Sequence, residues 1–167
     1  MRSRIFDTTK ELYKKYRTNN PYELAEELGI VVKYRHFKDL KGMYKVIGRV
    51  SFIWLHDDLD EITEKVVLMH EIGHHIFHRA IAASTFQEFS LYDMAGKPEV
   101  EANVFAANML ISDKELIELA EEHYTSEQAS SMLGLPHQLV LIKIQDMIDR
   151  GYGLCLGNEI RYDFLGF

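Results

Sequence analysis

Two histidines four residues apart, His70 and His74, enclose a glutamate, Glu71, in the segment HEIGH at 70–74. On an α-helix this spacing places both imidazoles on one face, so both can bind one metal ion at about 2.0–2.1 Å. Glu71 is rotated by about 100° from His70 around the helix axis, which places its carboxylate beside such an ion. The segment predicts a zinc-binding HExxH helix in which Glu71 is the general base that activates water.

The sequence around this motif favours a helix. An apolar run from Val66 to Phe77 contains no proline, and Asp58 with Glu61 predicts a capping box before it. We therefore predict one helix over about 59–79. Gly73 costs this helix about 1 kcal/mol relative to alanine, and we expect its small size to let another segment approach closely between the two histidines.

Two histidines leave a catalytic zinc site one protein ligand short, because such sites usually have three. Downstream side chains that could complete it are Glu88, Asp93, Glu99, Glu101, His123 and His137. Glu99 and Asn103 share one face of a helix that is apolar nearly all round, and a carboxylate buried there needs a partner. Glu99 would bind the metal, and Asn103 would orient a ligating histidine. Glu101 is the alternative ligand, and both glutamates could instead be solvated residues of a first helical turn.

The remaining elements predict an α+β fold with a small antiparallel sheet. Strands are expected at 30–34, 42–46 and 50–55, with the last two joined near Gly48 as a hairpin. Besides the motif helix, we predict helices at about 4–18, 20–29, 98–111, 112–123, 125–134 and 136–151. A long loop at 80–97 and a small hairpin around Gly157 at 152–164 complete the prediction.

Composition limits the class of protein. The 167 residues carry a net charge of −7, which argues against a broad nucleic-acid footprint. With one cysteine, Cys155, no internal disulfide can form. Residues 1–7 lack the apolar stretch of a signal peptide, and no apolar run approaches the length of a membrane span, so we expect neither feature. We expect one domain over 1–167, a cytoplasmic location and no membrane partner.

The segments HEIGHHIFH at 70–78 and EVEANVFAANMLI at 99–111 together resemble the ImmA/IrrE family of bacterial and phage metallopeptidases. The matching positions in the second segment are Glu99, Ala102, Asn103, Phe105, Ala106 and Ala107. The resemblance extends to 21–30 and 133–148, and it departs from the family at Ser112, where proline is common. It implies a zincin-like domain and favours Glu99 over Glu101 as the third ligand.

The same resemblance implies a function. The expected activity is that of an intracellular zinc-dependent endopeptidase that cleaves a helix-turn-helix repressor of a mobile element, phage or stress regulon. The alternative is a regulator that inactivates such a repressor by binding through a zincin scaffold, without cleavage. The intact Glu71 favours cleavage, because a pure binder needs no base. Two histidines and one carboxylate suit Zn²⁺, although Mn²⁺ or Fe²⁺ could use the same ligands.

A third class of function is DNA binding, because Ser126 to Met147 has the outline of a helix-turn-helix. Its second helix offers few polar side chains for contacts: His137, Gln138, Lys143 and Gln145. Together with the acidic charge, this scarcity predicts that the chain does not bind nucleic acid directly.

Three further expectations concern the surroundings of the site. Tyr92 or His123 would stabilise the oxyanion. By analogy with zincin-like folds, the strand at 49–55 would bind an extended substrate by β-addition. His78 lies some 6 Å further along the axis than His74, so it is expected to be a packed or supporting residue and not a ligand.

Overall fold

Three strands, β1 (Ile30–Arg35), β2 (Gly42–Ile47) and β3 (Val50–His56), form the main sheet. The computed structural model describes residues 2–84, 96–156 and 160–162 of the chain. The hairpin of β2 and β3 is confirmed, and its turn uses Gly48 at φ +65°, a conformation that favours glycine. The predicted antiparallel arrangement of the whole sheet is wrong, because β1 pairs in parallel with β3. The sheet is mixed, and its strand order is β1-β3-β2.

The expectation that the strand at 49–55 binds substrate along a free edge is wrong. β3 is the central strand, and its backbone pairs with β1 on one side and with β2 on the other. Within the described part of the chain, β2 is the edge strand on the side of this hairpin. Local sequence patterns do not indicate this order, because the parallel pairing of β1 with β3 joins residues about 20 positions apart.

The described residues form seven helices besides the strands, which confirms the α+β class. They are α1 (Arg2–Tyr16), α2 (Pro21–Glu27), α3 (Glu61–Ser84), α4 (Lys97–Leu110), α5 (Asp113–Glu121), α6 (Ser126–Leu133) and α7 (His137–Asp149). Two short strands near the carboxyl end, β4 (Leu154–Leu156) and β5 (Ile160–Tyr162), pair antiparallel as predicted. The turn between them lies outside the described residues.

Local capping signals explain where several helices begin. The predicted boxes of Ser112 with Glu115 and Thr125 with Gln128 are both present. The predicted box at Asp58 is wrong, because Asp60 accepts the backbone N–H groups of the first turn of α3 instead. An aspartate occurs at both positions, and only the path of the chain leaving β3 decides between them.

The motif helix is longer than predicted. α3 continues to Ser84 through a kink at His78, where φ is −126° and ψ is 17°. The first residues of the predicted loop at 80–97 are therefore helical, and 85–95 lie outside the described residues. The first half of α3 is buried against the sheet and α4, with Val66, Val67, Leu68, Met69 and Ile72 at most 1% exposed.

The segment with the helix-turn-helix outline folds as α6 and α7. Most of α7, the helix that would enter a groove, is buried in the protein core. Lys143, its one lysine, is 1% exposed and forms an ion pair with Asp113 at 2.5 Å. The scarcity of polar side chains on this helix thus results from its burial.

Among the described residues, none of the helices combines the length and the apolar character that crossing a membrane requires.

Candidate metal centre

The histidines of the motif face the interior. His70 and His74 are both 0% exposed, and their Nε2 atoms lie 3.0 Å apart. The four-residue spacing on α3 produces this stacking, as the sequence predicted.

Gly73 allows α4 to approach α3 at this level. A Cβ atom at Gly73 would lie 3.0 Å from the Cα of Ala102 and 3.1 Å from Cδ1 of Phe105. These distances are shorter than most real Cβ contacts, so a side chain here would require the atoms of α4 to shift, and glycine allows the observed packing distance. The expected close approach of another segment therefore occurs, and the segment is the helix that carries the predicted third ligand.

α4 places Glu99 against both histidines. One carboxylate oxygen lies 3.4 Å from Nε2 of His70, and the other lies 3.4 Å from Nε2 of His74. One atom of each of these three residues lies within 4.8 Å of the others. In a tetrahedral zinc site with bonds of about 2.0–2.1 Å, ligand atoms lie about 3.3–3.4 Å apart. The spacing of the three groups therefore fits one small divalent cation.

The Glu99 carboxylate also needs a partner. It is 7% exposed, and neither of its oxygens accepts a hydrogen bond within the described structure. Burial alone would raise the pKa of Glu99, but the imidazoles of His70 and His74 outweigh it and lower this pKa to about 2. A buried carboxylate without a hydrogen bond is costly, and a cation between the three side chains would remove that cost.

Asn103 lies where the sequence predicted an orienting residue. Its Oδ1 is 2.9 Å from Nδ1 of His70, and the side chain is fully buried. An amide oxygen only accepts, so Nδ1 of His70 donates this hydrogen bond and Nε2 faces Glu99.

Glu101, the alternative third ligand, has a different partner. Its Oε2 lies 2.9 Å from Nε2 of His78, whose Nδ1 lies 3.1 Å from Nδ1 of His74. Both glutamates of α4 are buried, so the reading of them as solvated first-turn residues is wrong. The sequence contained a signal for this pair: His78 continues the histidine face of α3, and Glu101 lies in an otherwise apolar helix.

Glu71 lies beside these groups and is 2% exposed. The backbone N–H of Tyr44 in β2 donates to its carboxylate, whereas Oε2 accepts no hydrogen bond in the described structure. Burial, and secondarily the charge of Glu99, raise the pKa of Glu71 well above its usual range. Gly42 allows β2 this close, because a Cβ there would lie 2.5 Å from Cγ1 of Val67.

A second contact ties α3 to the sheet. Nδ1 of His75 lies 3.1 Å from the hydroxyl oxygens of Tyr44 and Ser51. Burial, with a smaller effect of Arg79, lowers the pKa of His75 to about 4, so this ring is neutral at pH 7. The sequence pattern did not indicate this contact, since it depends on how α3 packs against the hairpin of β2 and β3.

The other residues considered from the sequence are not part of this cluster as described. Glu88, Asp93 and Tyr92 lie outside the described residues. His123 is exposed just after α5 at φ 61°, and no hydrogen bond or ion pair given by the structure joins it to the site. Nε2 of His137 lies 2.8 Å from the hydroxyl oxygen of Ser126, the first residue of α6.

A second set of possible ligands, His36, His56 and Asp57, lies near the ends of β1 and β3. Both nitrogens of His56 are already used: Nε2 lies 2.9 Å from the carbonyl oxygen of Phe37, and Nδ1 accepts from the N–H of Asp58. His36 and Asp57 are exposed. These three residues therefore form a hydrogen-bonded cluster at the surface, in which both ring nitrogens of His56 already have partners.

Comparison with known proteins identifies the family of this chain. Residues 25–145 match the family Peptidase_M78, described as the IrrE N-terminal-like domain. A protein of Bacillus phage phi105, "Uncharacterized immunity region protein 2", is 32% identical over 135 residues, which cover 80% of this chain and 85% of the phage protein. The matched region contains α3 and α4 with their histidines and glutamates. This chain belongs to the Peptidase_M78 family of IrrE N-terminal-like domains.

Proposed function

We propose that this chain is a zinc-dependent endopeptidase, active as one domain over 1–167, in which His70, His74 and Glu99 bind the metal. The observation that carries the proposal is the convergence of three buried ligand groups at 3.0–3.4 Å, with both Glu99 oxygens lacking a hydrogen bond. When bound, such an ion supplies Lewis-acid chemistry that makes water nucleophilic near neutral pH and polarises a carbonyl group.

Glu71 is proposed as the general base. Its Oε2 has no hydrogen-bond donor and can accept a proton from the attacking water. The oxygen of that water forms the new bond to the carbonyl carbon, and the carbon–nitrogen bond of the peptide breaks. Glu71 then delivers the proton to the leaving amine nitrogen. Its raised pKa suits this role, because the buried carboxyl group holds a proton readily.

The edge strand β2 is the proposed docking site for an extended substrate. Its Tyr44 N–H reaches Glu71, and Gly42 lies against the same side chain, so β2 runs beside the proposed base. A peptide added along an exposed edge gains backbone hydrogen bonds. The role first assigned to the strand at 49–55 thus moves to its neighbour.

The proposed substrate is a helix-turn-helix repressor of a mobile element or phage, cleaved in the cytoplasm. Support comes from the family and from the relative of Bacillus phage phi105, whose name places it in an immunity region. The buried α7 argues against direct DNA contact, so a repressor protein, and not its operator, is the proposed partner.

Incubation with repressors encoded by the same element tests the proposal. We expect fragments with the wild type that disappear with 1,10-phenanthroline and with Glu71→Gln. Glu61→Gln is the matched control, since Glu61 lies on the same helix, is exposed and pairs only with Lys65 among the described contacts. A stable complex with an uncut repressor, unaffected by chelator, would instead establish regulation by binding.

A further inference from the structure

His78 joins a glutamate of α4 to a proposed ligand. It is 5% exposed and lies at the kink of α3. Its ring contacts Glu101 through Nε2 at 2.9 Å and His74 through Nδ1 at 3.1 Å. Glu101 is 4% exposed, and Arg4 lies 3.9 Å from its other oxygen. The contacts form one chain: Glu101, His78, His74.

The order of donors along this chain follows from its carboxylate end. An ionised carboxylate only accepts, so Nε2 of His78 carries the proton in its contact with Glu101. In a neutral imidazole the other nitrogen is then an acceptor, so Nδ1 of His78 accepts. Nδ1 of His74 must therefore be the donor. The nitrogen of His74 that faces Glu99 and His70 is then the unprotonated Nε2.

We propose that Glu101, acting through His78, is a positioning group that keeps the proton of His74 on Nδ1 and so presents Nε2 to the metal. This role rests on the proposed metal site, although the position of the proton can be measured without it. α4 would then orient both histidines by different means: Asn103 contacts His70 directly at 2.9 Å, whereas Glu101 reaches His74 through an intervening ring.

The two glutamates of α4 would therefore have separate tasks. Glu99 faces the Nε2 atoms, and Glu101 acts from the opposite side of the His74 ring. Partners of this kind fix the tautomer and the orientation of ligating histidines, and their loss typically weakens metal binding by about 10- to 100-fold. This separation also explains why α4 buries two acidic side chains in a helix that is otherwise mostly apolar.

Long-range ¹H–¹⁵N NMR of the imidazoles in metal-free, ¹⁵N-labelled protein near pH 8 tests the proposal. We expect a proton on Nδ1 of His74 in the wild type and in Glu101→Gln, because the glutamine oxygen still accepts from His78. In Glu101→Leu we expect a mixture of tautomers. Glu121→Leu, at an exposed position of α5, controls for loss of a glutamate.

Zinc affinity, measured by competition with a chromophoric chelator, is the second readout. We expect Glu101→Leu to bind about 10- to 100-fold more weakly and Glu101→Gln to stay close to the wild type. If Glu101→Leu does not fold, the double variant His78→Phe/Glu101→Leu replaces it, because it leaves neither member of the pair buried without the other. Two results would overturn the proposed role of Glu101. One is a wild-type His74 that is protonated on Nε2 alone. The other is a Glu101→Leu variant in which the tautomer of His74 and the zinc affinity are both unchanged. Neither result depends on proteolysis, so the proposed activity would still stand.

Discussion

In the described part of the chain, two buried clusters of ionisable side chains differ in the partners that their carboxylates have. The metal-site cluster consists of His70, Glu71, His74 and Glu99. The ionic network, where α5 meets α7, consists of Asp113, Lys143, Asp146 and Arg150. The first is the proposed catalytic centre, and the second lies away from it, around the ring of Phe6, which Arg150 covers at 3.8 Å.

In the ionic network two acids meet two bases. Arg150 donates to both oxygens of Asp113 at 2.7 and 2.8 Å and to Asp146 at 2.8 Å. Lys143 lies 2.5 Å from Asp113. Apart from Oδ1 of Asp146, every buried oxygen of these two acids has a partner. Cationic side chains thus pair with three of the four carboxylate oxygens of this network, so its charges are balanced without a ligand.

In the metal-site cluster, Glu99 lies against two imidazoles, and Glu71 accepts the backbone N–H of Tyr44. Oε2 of Glu71 and both oxygens of Glu99 accept no hydrogen bond within the described structure. Three unsatisfied buried oxygens in one place are rare in folded proteins and need an explanation. In the ionic network this chain pairs buried acids with cations. The oxygens of Glu71 and Glu99 that accept no hydrogen bond within the described structure are therefore consistent with a ligand-binding site.

The largest expected effect is on activity. Glu71→Gln should reduce cleavage of a repressor by about 10²- to 10⁴-fold, because it removes the general base. Stability without metal should be unchanged or slightly higher, since a buried carboxylate is replaced by a neutral group. Cleavage assays and thermal unfolding measure the two effects. Cleavage at the wild-type rate would remove Glu71 from the mechanism.

In the ionic network we expect the opposite pattern, a loss of stability without a loss of zinc. Arg150→Met should lower the free energy of unfolding by about 3–5 kcal/mol, because it leaves Asp113 and Asp146 buried with one cation between them. Zinc content per folded protein should not change. Urea unfolding with metal analysis checks this, and Arg35→Met, at an exposed position in β1, is the control. A loss below 1 kcal/mol would mean that the network contributes little to stability.

A smaller effect is expected where α3 and α4 touch. Gly73→Ala should destabilise the protein by about 1–3 kcal/mol through overpacking against Ala102, partly offset by about 1 kcal/mol of helix propensity. Zinc affinity should fall as well, because α4 carries Glu99. Urea unfolding and chelator competition measure both quantities. Unchanged affinity would show that α4 can shift without moving its carboxylate.

The smallest effect is on the pH dependence of stability. Burial alone would raise the pKa of Asp113, but hydrogen bonds from Arg150 and the charge of Lys143 outweigh it and lower the pKa to about 2. A depressed pKa stabilises the fold above the unfolded value of about 3.9, and this contribution is lost as pH falls towards 2. Between pH 5 and 3, unfolding experiments should show a smaller loss of stability in Asp113→Asn than in the wild type. Equal slopes would contradict the assignment.

Local signals predicted much of the fold and part of the site. The helix caps at Ser112 and Thr125, the turn at Gly48 and the stacking of His70 with His74 each depend on residues a few positions apart. The choice between Asp58 and Asp60 as cap, and the central place of β3, depend on the path of the chain in space. Spacing within one helix could therefore not identify them.

The contacts around His70 and His74 could likewise be predicted only in part from spacing along the chain. Burial on a shared helix face indicates Glu99 as a candidate ligand and Asn103 as its supporting residue, and the family resemblance favours Glu99 over Glu101. α4 does bring both Glu99 and Asn103 to α3. The pairing of Glu101 with His78 was missed because helical spacing places Glu101 far around the axis from Glu99. The contact of Tyr44 with Glu71 depends on how β2 packs against α3, which spacing along the chain does not specify.

Metal content is the most direct test of the central claim, that His70, His74 and Glu99 form one binding site. Purified wild type, His70→Ala, Glu99→Ala and Glu101→Gln would be loaded with Zn²⁺, desalted and analysed for metal per folded chain. We predict about one equivalent in the wild type and in Glu101→Gln, and loss of most of it in His70→Ala and Glu99→Ala. Undiminished zinc in Glu99→Ala would contradict the three-ligand site and assign the third ligand elsewhere.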